Sequence, residues 1–548
     1  MTVAEVVGET VAALGVRDVF GLIGSGNLDV ANSLAGAGVR FIASRHETGA
    51  VAMADAYSRV SGRLGVCTVH QGPGLTNSIT GLAEAAKSRT PLLLLAAETA
   101  GAAVRSNFRI DQRALVMASG AVAERLHSPV SAVADTIRAL RRAEVERRPV
   151  VLMMPLDIQG AECARPNSLA PAPLLRPVRP AAEVVRELAH FFRSARRPVI
   201  LAGRGAVLCG AREPLERLGD LGGALFATTA VANGFFADSP WSLGISGGFA
   251  SPLAMELIGS ADLVVAFGAS LNMWTTRHGR LLEKAKVIVQ VDNEPHAIGF
   301  HHRVDLAVLG DVGETAKALT TELELDPIEL PPWRTPELAD RIRKHTWRVE
   351  SYEDAGTSDQ IDPRTLSKRL DSVLPHDRAV VVDSGHFMGY PPMYLRVESP
   401  DAFVFAQGFQ SVGLGLAGAI GAAIARPDRM TVATLGDGGA LMALPELETA
   451  ARLDLGILIV VYNDAAYGAE VHHFGPMGKP VDLVRFPDTD FASLGRAVGL
   501  IGRTVRCADD LEYVGEWATK VPRPGLIVDA KVVPTVVADW LPEAFRGH

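Results

Sequence analysis

Cysteine is scarce in this chain: Cys67, Cys163, Cys209 and Cys507 are the only four among 548 residues, far apart in sequence. That excludes a disulfide scaffold and a thiolate metal site, and it fits a reducing compartment. Long apolar runs are missing as well. Stretches such as 91–97 are too short to span a bilayer, so no membrane partner is expected. Positive charge is not in excess either. Lys and Arg number 54 against 62 Asp and Glu, for a formal net charge of -8, which gives no reason to expect nucleic acid or an anionic membrane surface as a partner. The opening residues, MTVAEVVGET, lack the basic region of a secretion signal, and a cytoplasmic location is expected. What is present is 48% hydrophobic and 21% charged residues, ordinary for a compact protein. The length is too great for one hydrophobic core and calls for several domains.

Short β-rich runs alternate with Ala- and Leu-rich helical patterns in three units, each the pattern of a parallel sheet covered on both faces. Strands are predicted at 18–22, 40–43, 65–70, 91–96 and 149–154, then at 198–202, 224–227, 263–267 and 286–291. A last set is predicted at 379–383, 430–435, 457–462 and 525–529. Pro-rich sequence over 166–185 reads as a semi-rigid linker between a first domain (1–165) and a central domain (186–325). A second acidic and Pro-rich stretch, 326–360, reads as a linker to a third domain (361–548). The expected fold is therefore α/β, with three Rossmann-like, doubly wound parallel-sheet domains. The first and third have a similar rhythm.

The most informative stretch begins at the strand 430–435, which runs into Gly436-Asp437-Gly438-Gly439. Beyond a helical segment, a second strand ends in Asn463-Asp464. Adjacent parallel strands would set Asp437 and Asp464 together beside a glycine turn with free N–H groups. Hard oxygen ligands and such a turn suit Mg²⁺ or Ca²⁺ holding a diphosphate. The competing reading makes Asp437 a helix cap and Asn463-Asp464 a turn. Glu47 lies in the first turn of a helix, where capping-box spacing with Ser44 would occupy its carboxylate. His70 ends a strand before the rigid turn Gly72-Pro73-Gly74, as a catalytic or a structural histidine. Ser384-Gly385-His386 follows a strand and could touch the diphosphate from the opposite side; His386 could equally be a partly solvated loop residue.

The run GDGG, then Glu446 in LPELETA, then YNDAAYG resembles the diphosphate-binding signature of thiamine diphosphate (ThDP) enzymes. That resemblance implies pyrimidine-binding, central and diphosphate-binding domains, with ThDP and Mg²⁺ as cofactors. It puts Asp437, Asp464 and the Ala466 carbonyl on the metal, and Gly438, Gly439 and Tyr467 against the cofactor. Asp464 stands where the family usually has Asn, which adds a negative charge. The run ASRHETGAVAMADAYSR is similar to the family's glutamate region, implying that Glu47 hydrogen-bonds N1′ of the aminopyrimidine and promotes its imino tautomer. In AQGFQSVGLGLAGAIGAAIARPDR, Val412 falls at the place of the apolar residue that props ThDP into a V shape. Val is smaller than the usual Met, Leu or Ile; packing of small residues on a helix accounts for the same segment. Family sites are shared between subunits, which implies a homodimer at least and often a homotetramer.

On the substrate side, Ser25 in LIGSGN and His70 match the loop serine and active-site histidine of benzoylformate decarboxylase. Glu470 matches a catalytic glutamate of pyruvate and indolepyruvate decarboxylases, while His472 and His473 read as solvated loop histidines. AGRGAV resembles the start of the family's central domain, which binds FAD in some members and ADP or CoA groups in others. FGASLNMWTTRHG departs from the FAD-binding arginine pattern, and FAD is not expected. The overall pattern is similar to acetolactate synthase, so the function first implied is a carboligase. It would decarboxylate a 2-oxo acid and pass the acyl unit to an aldehyde or ketone acceptor. The alternative is simple decarboxylation with release of an aldehyde. A non-catalytic ThDP-fold subunit is the remote third reading, which loss of Glu47 or of the aspartates would have supported.

Overall fold

The computed structural model describes residues 1–164, 175–329 and 333–546, which form three α/β domains, each on a six-stranded sheet. In the first, β1 (Asp18–Gly21), β2 (Arg40–Ala43), β3 (Gly65–Val69), β4 (Leu92–Glu98), β5 (Val122–Arg125) and β6 (Pro149–Pro155) lie in the order β2-β1-β3-β4-β6-β5. The central domain arranges β7 (Pro198–Ala202), β8 (Leu225–Thr228), β9 (Ser242–Ile245), β10 (Leu263–Phe267), β11 (Val287–Asp292) and β12 (Leu306–Leu309) as β12-β11-β10-β7-β8-β9. The third places β13 (Arg378–Val382), β14 (Phe403–Phe405), β15 (Met430–Gly436), β16 (Leu458–Asn463), β17 (Ile501–Val505) and β18 (Leu526–Lys531) as β14-β13-β15-β16-β18-β17. Every pairing is parallel. Helices cover both faces of such sheets, and interior strands such as β3, β6, β7, β10 and β13 are accordingly buried along their whole length.

Counted from their own first strands, the two outer domains share one topology, 2-1-3-4-6-5, and the central sheet has the dinucleotide-type order 3-2-1-4-5-6. In the outer domains the order reverses between the first and third strands. Loops leaving the carboxyl ends of those two strands part there and open a crevice, the usual ligand position in such sheets. In the third domain the crevice lies between the loops after β13 and β15; in the first, between those after β1 and β3.

The outer domains of one chain pack together through the helices Glu47–Ser61 and Gly415–Ala425, sharing a core that includes Met53, Ala56, Leu416 and Ile420. Glycine permits the approach: a Cβ on Gly421 would lie 2.0 Å from the Met53 carbonyl oxygen. The stretch 326–360, expected to be a linker, is more than a connector. It carries the helix Pro336–Lys344, begun by a Thr335 cap, whose Leu338 and Ile342 are buried in the central-domain core. Those two residues are four apart and therefore share one helix face. The linker expected over 166–185 lies partly outside the described residues, and the helix Ala182–Ser194 begins within it. Among the described residues, no helix is long and apolar enough to cross a membrane.

Candidate active site

The half of the site expected to hold the metal forms where β15 and β16 end side by side. Their register pairs Gly436 with Tyr462, so the next residues to emerge, Asp437 and then Asn463-Asp464, do so together. Asp437 is not the helix cap: Gly436 holds that position and no side chain closes the turn. The Gly438 and Ala466 N–H groups instead point at the Asp437 carboxylate. Burial first, and then the Asp437 charge, holds the Asp464 carboxyl well above the ordinary carboxylate range, and burial does the same to Asp437. Asn463 is fully spent on structure. Its Nδ2 donates to Asp488, the Thr489 carbonyl and Asp529, and its Oδ1 accepts the Ala465 N–H. Ala465 adopts a left-handed φ of 56°, a strained choice for a residue with a Cβ, and turns the chain toward Tyr467. The cradle needs its glycines. A Cβ on Gly438 would lie 2.7 Å from the Tyr467 ring, and one on Gly439 would lie 2.3 Å from Asp383 Oδ2.

Across the crevice, Ser384-Gly385-His386 follows β13. His386 is buried, not a partly solvated loop residue; its Nε2 accepts the Ala538 N–H at 2.9 Å. That bond leaves Nδ1 to carry the proton, and burial, with a smaller contribution from His472, pushes the pKa down to about 3, so the ring is neutral. His472 and His473 are helical rather than loop residues. His472 lies tilted with its ring centre 4.4 Å from that of His386, and His473 stacks 4.0 Å from Phe545. Asp437, Asp464, Ala466, Ser384 and His386 line a cavity of about 540 Å³, whose walls also include Val412, Tyr467, Glu470, Trp274 and Trp540.

The first domain holds the other predicted residues. Glu47 is buried in the first turn of its helix, but the capping box with Ser44 does not form. His46 is the cap, its Nδ1 accepting the Thr48 N–H, and Ser44 Oγ has no partner. The Glu47 carboxylate is thereby left to Asn77, whose Nδ2 donates to it at 3.0 Å. Glu446 pins this turn to the third domain, accepting the Arg45 and His46 N–H groups at 3.0 Å each. His70 and Ser25 meet at the crevice of the first sheet. His70 Nδ1 accepts the Gly26 N–H at 3.1 Å, its ring stands edge-on to Phe108, and the adjoining Ser25 is exposed. Burial lowers the His70 pKa, opposed by the Glu47 charge. Among the described residues, none from the first domain lines the Asp437–Asp464 cavity. Within one chain the Glu47–His70 region and the Asp437–Asp464 cavity are thus separate. Asn77, Gly26 and Asp383 escaped the sequence reading; each acts through a contact made far along the chain, and no local pattern marks them.

The residues present fit a diphosphate and its metal. Burial raises both carboxyls and the Asp437 charge raises Asp464 further; among the described residues neither is in an ion pair, and Lys531 beside Asp437 is paired with Asp488 and Asp529. Among the described residues no third acidic, histidine or cysteine ligand joins them. The donor set is therefore oxygen from two carboxylates, backbone and ligand, suited to a hard cation.

Comparison with known proteins gives the same answer from an independent direction. Residues 1–115 match the model of the thiamine pyrophosphate enzyme N-terminal TPP binding domain, 185–319 that of the central domain, and 383–528 that of the C-terminal TPP binding domain. The probable 2-ketoarginine decarboxylase AruI of Pseudomonas aeruginosa is 32% identical over 530 residues, 93% of this chain and 91% of that protein. The sulfoacetaldehyde acetyltransferase of Castellaniella defragrans is 30% identical over 545 residues, 94% of this chain and 89% of the relative. A probable acetolactate synthase large subunit of Methanocaldococcus jannaschii is 26% identical over 564 residues, covering 99% and 94% of the two chains. With all three domains matched in order, the chain belongs to the thiamine pyrophosphate enzymes, as a catalytic member of the group that includes acetolactate synthases and decarboxylases.

Proposed function

We propose that this enzyme decarboxylates a 2-oxo acid without oxidation and releases the corresponding aldehyde. We further propose that each site joins the first domain of one chain to the third domain of a second. In this reading Asp437, Asp464 and the Ala466 carbonyl would hold Mg²⁺ or Ca²⁺. Ser384, Gly385, His386, Gly438 and Gly439 would hold the diphosphate, with Tyr467 and Val412 against the rest of the cofactor. When bound, thiamine diphosphate supplies the electron sink that takes up the electron pair left by departing CO₂. The protein supplies position and protons. Glu47 holds a proton at N1′ of the aminopyrimidine. His70, whose Nδ1 accepts a backbone N–H, is kept neutral with Nε2–H outward, so it orients the substrate as a hydrogen-bond donor.

The observation that carries the reading is Glu470 on the wall of the metal cavity, on the helix that starts just beyond the metal-binding turn. A carboxyl there can protonate the carbon that CO₂ leaves, which ends the reaction as an aldehyde. The 32% identity to a protein named as a probable 2-ketoarginine decarboxylase supports the same order. Decarboxylation therefore comes ahead of the carboligation that the sequence pattern alone favoured. Carboligation keeps one observation in its favour: Val412, small and 37% exposed, leaves room for an acceptor. The test is product analysis with pyruvate, benzoylformate and a guanidino 2-oxo acid, with ThDP and Mg²⁺, with and without added aldehyde. CO₂ and free aldehyde in equal amounts are expected, and Glu470→Gln should cut aldehyde release by about 100-fold. Acyloin products alone, or a Gln variant as fast as the parent, would reverse the order.

A further inference from the structure

Val412 owes its position to the loop between β14 and the helix Gly415–Ala425, and that loop is gripped at both ends by buried carboxylates. At its far end Asp383 accepts the Gly413 N–H at 3.0 Å and the Leu414 N–H at 3.1 Å. This anchor belongs to the third domain itself. The near anchor comes from the first domain. Glu84 Oε1 accepts the Gly408 N–H at 3.0 Å, and Oε2 accepts the Phe409 N–H at 2.7 Å. Arg59 backs it up, pairing with Glu84 at 2.9 Å while its other terminal nitrogen donates to the Phe405 carbonyl at 3.1 Å. Glu84 is only 2% exposed, and its site is built for a close approach. A Cβ on Gly408 would lie 2.5 Å from Ser88 Oγ, which itself donates to Glu84 Oε1. Between the anchors Gln410 takes a left-handed φ of 59°, and Val412 comes to rest against the glycine cradle. Its Cγ1 is 3.2 Å from where a Cβ on Gly439 would stand.

We infer that Glu84, backed by Arg59, is a positioning residue that fixes the Val412 loop over the diphosphate cradle. It ties the helix layer carrying Glu47 to the wall of the cofactor cavity in the same chain. The inference rests on the cofactor assignment above but not on which reaction follows. Both carboxylate oxygens are in use, one for each of two successive N–H groups, so no neutral residue of equal size can replace them. A glutamine offers one acceptor and turns an NH₂ toward either Phe409 N–H or the Arg59 guanidinium.

The test compares the full-length parent with Glu84→Gln. The control is Glu124→Gln, which removes another buried, Arg-paired carboxylate of the first domain away from the loop. Hydrogen–deuterium exchange on the cofactor-free protein should quicken over 406–413 in the Glu84 variant only. ThDP affinity, followed by quenching of the cavity tryptophans, should weaken roughly tenfold in that variant and stay unchanged in the control. Parental exchange and parental affinity in folded Glu84→Gln protein would overturn the inference. Equal weakening by the control would also overturn it, since a merely structural role would then account for the loss. If Glu84→Gln does not fold, Gly408→Ala decides. Its Cβ would stand 2.5 Å from Ser88 Oγ and 3.1 Å from Glu84 Oε1, lifting the loop off its near anchor without removing either charge of the Arg59–Glu84 pair. Unaltered ThDP affinity in that variant would count against the inference. A parent that binds ThDP yet releases no aldehyde would reject the proposed reaction and leave this inference standing.

Discussion

Asp464→Asn removes one of two like charges from a buried site while keeping the side chain's shape and an oxygen ligand. Burial holds both carboxyls above the ordinary carboxylate range, and the Asp437 charge lifts Asp464 further. The unfolded chain therefore ionises them first. Stability of the metal-free parent should then fall as pH rises from about 4 through the raised folded-state values, because the native state binds more protons over that interval. Below it Asp464 is neutral and the asparagine variant should match the parent. Above it the variant is spared the second charge. Adjacent strands lie about 5 Å apart, and two charges at that separation repel by roughly 3 kcal/mol at an effective dielectric of about 20. The N–H groups aimed at the carboxylates offset part of this, leaving about 1–3 kcal/mol, or roughly 2–10 °C in Tm for a domain of this size.

The assay is thermal unfolding of chelator-treated protein at pH 5 and pH 8, at one scan rate because large multidomain chains commonly unfold irreversibly. The variant should be the more stable at pH 8, by a margin that shrinks at pH 5, where the native carboxyls still hold their protons. Saturating Mg²⁺ with ThDP should reverse the ranking, since the parent has the more negative site and gains more from a cation. A variant no more stable than the parent at pH 8, or a margin equal at both pH values, would mean that the two aspartates do not share one buried site.

Glu47→Gln should leave the fold and ThDP binding intact and lower turnover by about 100-fold or more; parental turnover with saturating ThDP would remove Glu47 from its proposed role. The exposed Leu441 and Met442 beside the third-domain half-site, and Ile23, Phe108 and Ile110 beside His70, form apolar rims of the kind that mark contact surfaces. Changing Leu441 and Met442 together to Asp should therefore yield monomers in sedimentation analysis and abolish turnover, whereas a fully active monomeric parent would end the shared-site reading.

The legible parts of the fold were those with water excluded on both sides. Interior strands such as β10 and β13 are continuous apolar runs, buried at every position, and such runs stand out from any helical period. The strands with no visible signal, β5, β9, β12, β14 and β17, all lie at sheet edges. β9 and β12 alternate buried with more open positions, β5 and β17 are likewise only partly buried, and β14 is three residues long. Partial solvation dilutes the hydrophobic pattern that the sequence reading depends on. The same physics divides the site. Asp437 and Asp464 could be read as neighbours because parallel register brings two strand ends together whatever their side chains. Glu47 looked spent on a capping box because spacing cannot show that His46 Nδ1 takes the capping bond. Neither could local sequence show that Asn77, thirty positions on, holds the freed carboxylate, or that Gly26 fixes the protonation of His70 from 44 positions away. The shared 2-1-3-4-6-5 topology of the outer sheets gives these scattered contacts a common geometry. Each sheet opens its crevice at the equivalent point and arms it with residues from the loops around that opening. The two openings of one chain do not share a cavity, and the proposed cofactor site accordingly draws its two halves from two copies of the chain.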